Sequence, residues 1–303
     1  MILTHPRQRE SSPAMEAPPL RSLLFVPGDN RDRSMKAMKA GADAVIFDLE
    51  DAVAIERKPD ARQTIRETLT IEADCQRFVR MNAVDTPFFL ADLEATVAAK
   101  PDGIVVPKVE SAAALYLVDR LIAALGDRSG VDTKALKIIP IIETAAGFVA
   151  IEEIAGFRQR IRCLSFGAGD LTRDIGARWT PDERELDTFR SILVAQSRAF
   201  GLEKPIDSVW IRLDDPEGLV RSATRVRDLG YQGKFVIHPG QVAPVQAVFS
   251  PNDAEIAEAK QIVDAFEAAE AAGKASIRVG NVFVDYPIYE RARATLALVR
   301  RSS

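Results

Sequence analysis

The chain has 303 residues, 47% hydrophobic and 28% charged, with 40 Lys and Arg against 44 Asp and Glu. That length carries one large α/β domain or two smaller ones, and a net charge of −4 excludes the broad basic footprint of a nucleic-acid binder. No run reaches the ~18–20 apolar residues that span a bilayer.

Two cysteines, Cys75 and Cys163, stand far apart outside any CxxC pattern. The segment 1–20 is rich in proline, serine and charge and lacks the apolar stretch of a secretion signal. Together these predict a reduced, cytoplasmic globular protein with a disordered extension over 1–20. The only histidines are His5, in that extension, and His238, too few for a histidine-rich zinc site.

From Arg21 onward, short apolar runs alternate with longer amphipathic stretches. Strands are predicted over 22–26, 44–49, 77–81, 103–107, 137–142, 161–166, 206–211 and 234–237. Their near-continuous apolarity is what a strand covered on both faces shows. Helices are predicted over 31–40, 59–69, 87–99, 111–125, 144–155, 181–200 and 216–229, several opening on Pro or Ser. Gly41, Gly126, Gly201 and Gly230 fall where left-handed helix caps belong.

Eight such units predict a (β/α)8 TIM barrel over 21–250. A doubly wound open sheet is the alternative, disfavoured because no GxGxxG opens a helix. Beyond the barrel come a helix over 253–273, a short apolar segment over 276–284 and a last helix over 287–300. This C-terminal extension, 251–303, is expected to serve as a helical lid, an oligomer arm, or both.

Active sites of such barrels form at the C-terminal ends of the strands. Six predicted strands end in polar groups: Asp48-Leu49-Glu50-Asp51, Arg80-Met81-Asn82, Pro107-Lys108, Glu143-Thr144, Gly167-Ala168-Gly169-Asp170 and His238-Pro239. Glu143 and Asp170 belong to successive strands, and two such carboxylates repel unless a cation or a shared proton intervenes. Mg2+ with retained waters is the natural filler; helix capping, or pairing with Lys108 or Arg80, is the bland alternative. Arg80 should project into the mouth, where its fork suits a substrate carboxylate, or else forms an internal salt bridge to Glu50 or Asp51. His238 before a proline serves loop geometry as readily as chemistry, and both cysteines read as structural.

Taken in order, Leu24-Phe25-Val26-Pro27-Gly28, Asp48-Leu49-Glu50-Asp51-Ala52-Val53, Val79-Arg80-Met81-Asn82, Val106-Pro107-Lys108, Ile142-Glu143-Thr144, Phe166-Gly167-Ala168-Gly169-Asp170-Leu171 and Ile237-His238-Pro239 resemble the citrate lyase β-subunit-like family of the HpcH/HpaI aldolase superfamily. The resemblance spans nearly the whole chain. It implies a Mg2+-dependent barrel that cleaves a 3-hydroxy-acyl thioester by retro-Claisen chemistry, as a homo-oligomer of trimeric or hexameric type.

Carried over by motif, Glu143 and Asp170 resemble the metal ligands, and Arg80 the carboxylate clamp. Glu143 and the Gly167, Ala168 and Gly169 amides resemble supports for the substrate's hydroxy-acid end. Phe25, Arg31, Arg33 and Lys36 resemble the segment that holds coenzyme A, with Lys58 and Arg62 nearby; as residues alone, that cluster is equally a solvated helix face. Asp285 matches the acid that CoA-dependent members place over a neighbouring subunit's site, and Glu50 and Asp51 are candidates for the base.

The resemblance implies a citramalyl-CoA or malyl-CoA lyase giving acetyl-CoA and pyruvate or glyoxylate. Its alternatives are a citryl-carrier-protein lyase subunit giving oxaloacetate, a thioesterase on the same substrates, and a non-catalytic small-acid-binding barrel.

Overall fold

The computed structural model describes residues 19–302, so the extension predicted over 1–20 lies outside them up to residue 18. Eight parallel strands close into a barrel in chain order: β1 (Ser22–Pro27), β2 (Ala44–Asp48), β3 (Gln76–Arg80), β4 (Gly103–Val106), β5 (Lys137–Ile142), β6 (Cys163–Phe166), β7 (Glu203–Asp207) and β8 (Gly233–Val236). Register pairs such as Leu23 with Phe235 join β1 to β8 and seal the ring. The open-sheet alternative is thereby excluded.

Around the ring run α1 (Arg31–Met38), α2 (Lys58–Leu69), α3 (Phe89–Ala99), α4 (Ala112–Ser129), α5 (Ala145–Val149), α6 (Ile151–Gly156), α7 (Ala168–Asp174), α8 (Asp187–Ala199), α9 (Pro216–Leu229) and α10 (Val242–Phe249). Strand alternation divides the apolar residues in two. Leu23, Ala44, Ile46, Phe78, Val105, Ile139, Ile141, Ile206 and Phe235 fill the barrel interior, while Leu24, Val45, Phe47, Val79, Ile104, Ile138 and Val236 face the helices. Both faces are dry, which is why the strands read as continuous apolar runs.

Four local expectations are corrected. Strand seven runs Glu203–Asp207, not 206–211: the apolar tail of the predicted run is loop, where the buried Trp210 donates its indole N–H to the Asp215 carbonyl. The helix predicted over 144–155 is two helices, broken at Ala150. The stretch 181–200 keeps only α8 as α-helix, after a short 3-10 turn at Arg184–Leu186.

Gly126 is not a cap, whereas Gly41, Gly201 and Gly230 do take positive φ. It lies inside α4, where a Cβ would stand 2.5 Å from the Thr133 side chain, and Gly130 (φ +66°) closes the helix instead.

Beyond the barrel, α11 (Asp253–Ala271), an antiparallel hairpin of β9 (Ile277–Val279) and β10 (Val282–Val284), and α12 (Tyr286–Ser302) form a separate unit. Its own small core gathers Ala259, Ile262, Phe266, Val284, Tyr289 and Ala292, with the Phe266 and Tyr289 rings stacked 4.7 Å apart. A capping box at Asn252 and Glu255 starts α11. No described helix is long and apolar enough to cross a membrane.

Candidate active site

The site begins with the register of two strands. Asp48 and Arg80, the last residues of β2 and β3, are direct partners in the ladder. Arg80 binds Asp48 through both arms of its fork, Nε to Oδ1 at 2.7 Å and Nη2 to Oδ2 at 2.6 Å. The same carboxylate accepts the Glu50 and Ala52 amides at 2.9 and 3.0 Å, folding the chain into a tight turn after β2.

That turn buries the Glu50 side chain over the mouth, 2.9 Å from Arg80 Nη1. Burial raises the Glu50 carboxyl above its ordinary range, against the pull of Arg80 and Lys108. Arg80 therefore does form an internal ion pair, with Asp48 and Glu50; Asp51 is exposed. The Arg80 guanidinium also lies over the Phe25 ring, 4.8 Å from its centroid.

β4, β5 and β6 bring the rest. Lys108, just past β4, donates its backbone N–H to Glu143 Oε1 at 2.9 Å, and its ammonium ion-pairs with Glu50. Glu143, just past β5, is 4% exposed. Its other flank presses on Gly167, where a Cβ would meet Glu143 Oε2 at 2.2 Å and Glu143 Cβ at 2.6 Å. Only glycine leaves room for the carboxylate there.

Burial, then repulsion from Glu50 and Asp170, pushes the Glu143 carboxyl up to about 8. Asp170 sits in the first turn of α7 and pairs with the exposed Arg173 at 2.6 Å. Among the described residues no three of His, Cys, Asp and Glu gather into a metal cage. Glu143 and Asp170 offer two hard oxygen donors, and an ion held by them would keep several waters.

Several expected roles meet different surroundings. The Gly167 amide donates to the Ile142 carbonyl and the Ala168 amide to Ser208 Oγ, so neither points to a ligand. Gly169 is exposed and its amide has no partner among the described residues. Phe25 packs on Phe235, ring centroids 5.1 Å apart. Arg31, Arg33 and Lys36 all lie exposed on α1.

Lys58 is a correction. It is 4% exposed and spends its ammonium on the Leu49 and Glu50 carbonyls at 2.7 and 2.9 Å, bracing the turn after β2. Arg62 likewise pairs with the buried Asp92 at 2.7 Å. Neither is free to meet a phosphate. Asp285 caps α12, accepting the Ile288 amide at 3.3 Å, and among the described residues no hydrogen bond or ion pair joins it to the barrel mouth. His238 Nδ1 accepts the Gly240 amide at 3.1 Å, the loop role its neighbouring proline suggested.

Two strand-end residues outside the candidate set, Asp48 and Lys108, also belong to the cluster. The signal was available for Asp48, since residues that each end one of two successive parallel strands tend to stand side by side.

The chain matches the model of the family described as HpcH/HpaI aldolase/citrate lyase over residues 21–239. It is 38% identical over 286 residues to a (3S)-malyl-CoA thioesterase of Cereibacter sphaeroides, covering 94% of this chain and 96% of that one. It is 35% identical to the citrate lyase subunit beta of Leuconostoc mesenteroides, covering 92% of each. Among solved structures, protein CitE of Mycobacterium tuberculosis in complex with magnesium, acetoacetate and coenzyme A superposes with a TM-score of 0.76, at 29% identity over 94% of this chain and 98% of that one. A citrate lyase of Burkholderia xenovorans, 20% identical over 95% of this chain and 93% of that one, reaches 0.83 and shares the fold.

Proposed function

The chain belongs to the HpcH/HpaI aldolase/citrate lyase family, and from that premise we propose that it is a Mg2+-dependent carbon–carbon lyase. Its substrate is a 3-hydroxy-3-carboxy acyl-CoA of the citramalyl-CoA or malyl-CoA type, cleaved to acetyl-CoA and pyruvate or glyoxylate. The observation that carries the reading is the buried Glu143 carboxylate. Fixed by an amide on one side and a glycine on the other, it faces Glu50 and Asp170 at a cost that a bound cation removes. Glu143 and Asp170 would hold the ion, and the magnesium in the M. tuberculosis CitE complex supports that choice of metal. When bound, Mg2+ supplies Lewis-acid polarisation of the substrate's hydroxyl and carboxylate oxygens.

The chain's own residues do the rest. Arg80, held by Asp48, offers its Nη1 edge to the substrate carboxylate, which displaces Glu50 from it. The Gly169 amide donates to the same end of the substrate. Glu50, buried and raised, takes the hydroxyl proton; Asp51, exposed at the rim, is the weaker candidate.

As the C3–O bond becomes a carbonyl, the C2–C3 bond breaks and its electron pair passes to the thioester as an enolate. Asp285 of a neighbouring subunit delivers the proton that turns the enolate carbon into the methyl group of acetyl-CoA, which makes the working form a homo-oligomer. Arg31, Arg33 and Lys36, on the exposed face of α1, take the coenzyme A phosphates. Phe25 lines the mouth beneath Arg80.

A second reading, thioester hydrolysis, is favoured by the 38% identity to the malyl-CoA thioesterase. The two differ in products, because a lyase yields 2-oxo acid and no free thiol, whereas a hydrolase yields free CoA and the intact hydroxy acid. Incubation with citramalyl-CoA, malyl-CoA and a citryl-carrier protein, with and without Mg2+, decides between them. We expect Mg2+-dependent 2-oxo acid in equal amount to acetyl-CoA. Free thiol without 2-oxo acid establishes the hydrolase, and cleavage of the carrier-bound substrate alone makes the chain a citrate lyase subunit. No turnover of any thioester overturns the lyase reading.

A further inference from the structure

Three described non-glycine residues have positive φ: Lys100, Lys108 and Glu183. Lys100 closes α3, and Glu183 is buried in the outer layer against Arg190 and Ser222. Lys108 alone stands in the barrel mouth. At φ +51° its backbone carries a strain that glycine would not. Such outliers persist where the surroundings require them.

The conformation accomplishes two things. It turns the Lys108 N–H onto Glu143 Oε1 at 2.9 Å, and it sends the ammonium back across the mouth to Glu50. A glycine would deliver the first without strain, so a lysine here must be accounted for by the second. Its charge also answers the local balance. Glu50, Glu143 and Asp170 all act on Lys108, whereas Arg80 is already engaged by Asp48.

We propose that Lys108 is a positioning residue that couples the two halves of the site. Its amide orients Glu143 for the metal, while its ammonium holds Glu50 in the orientation from which it takes the substrate proton. This rests on the lyase reading above and adds to it a division of labour within one residue: backbone for the metal side, side chain for the proton side.

The division is tested with Lys108→Gly, which keeps the amide, lifts the strain and deletes the ammonium, and with Lys108→Arg, which keeps the charge. For Lys108→Gly we expect Tm equal to or above wild type and half-saturating Mg2+, read from the Mg2+-dependent rise in Tm, within about twofold. KM should change little. Its kcat should fall about 10²-fold, the scale of loss when a reacting group is displaced by about an ångström. Lys108→Arg should recover at least about a tenth of wild-type kcat by restoring the charge-assisted contact to Glu50.

A merely structural lysine would lower Tm and leave the KM and kcat of the folded fraction alone, which overturns the proposal. So does a Lys108→Gly enzyme with kcat within twofold of wild type, or one whose Mg2+ affinity drops tenfold. An inactive wild type overturns the lyase reading and takes this inference with it. An active wild type beside an unaffected variant overturns this inference only.

Discussion

In the proposed site one buried residue, Glu143, would govern both stability and metal binding. Its carboxyl, ordinarily near 4.5, stands at about 8 because burial and its acidic neighbours disfavour the charge. The folded chain therefore holds that proton more tightly than the unfolded chain does. Stability from this group is fully present below about 4.5 and is lost as pH rises through about 8. Without metal, Tm should fall across that window, with Glu143 responsible for about 2–5 kcal/mol at the alkaline end. Glu143→Gln should flatten that part of the curve, measured as the difference between the two melting profiles.

Mg2+ competes with the proton, so calorimetry at pH 7 in buffers of different ionisation enthalpy should show close to one proton released per ion bound. Proton-independent binding would separate the metal from Glu143. Gly167→Ala tests the other wall of the same pocket. The added methyl overlaps the Glu143 side chain and should cost about 1–3 kcal/mol, with weaker Mg2+ binding in the fraction that folds. An unchanged Mg2+ titration would mean that the carboxylate has another place to go.

At the scale of elements, the Asp48–Arg80 pair is a consequence of register. Both residues end their strands at the same height, so the β2–β3 ladder also assembles the ion pair. Asp48 is 1% exposed, and its removal strands the mostly buried Arg80 as well as the amides of the turn after β2. Asp48→Ala should therefore cost about 3–5 kcal/mol in urea unfolding with m unchanged. A loss under 1 kcal/mol would show that Glu50 alone keeps Arg80 satisfied.

The same elements show what could be read from the sequence. Strand five appears over the predicted 137–142, because a dry two-faced strand leaves an unbroken apolar run. Strand seven was displaced because Trp210, buried in a loop, extends the apolar run past the strand, while Glu203 at its start is polar to meet Arg162. The strand-end positions of Glu50, Arg80, Glu143 and Asp170 were legible for the same reason the barrel was. Lys58 was not, since a lysine that braces carbonyls looks in sequence like any other charge on a helix. The left-handed backbone of Lys108 was equally invisible, because lysine is not a residue that announces positive φ.

At the scale of the molecule, the barrel and the C-terminal unit have separate cores, and Asp285 belongs to the second. Within one chain it caps α12 and, among the described residues, makes no polar contact with the mouth, so a catalytic role for it calls for a second subunit. The capping role also dictates the choice of variant. Asp285→Ala would lose the cap as well as the acid, whereas asparagine caps a helix about as well as aspartate but has no carboxyl proton to give.

Asp285→Asn should leave Tm and Mg2+ binding at wild-type values and lower kcat by about 10²–10⁴-fold, the usual range for one general acid. Asp170→Asn, which removes one of the two proposed metal ligands, should be inactive. In a mixed oligomer of the two variants, some barrels keep both metal ligands and receive an intact Asp285 from their neighbour. Those sites should work, so activity should return on mixing once subunit exchange is confirmed by mass. An acid acting within its own chain predicts the reverse, because every barrel in the mixture would then lack either Asp170 or Asp285. Persistent inactivity after exchange would remove Asp285 from the neighbouring site.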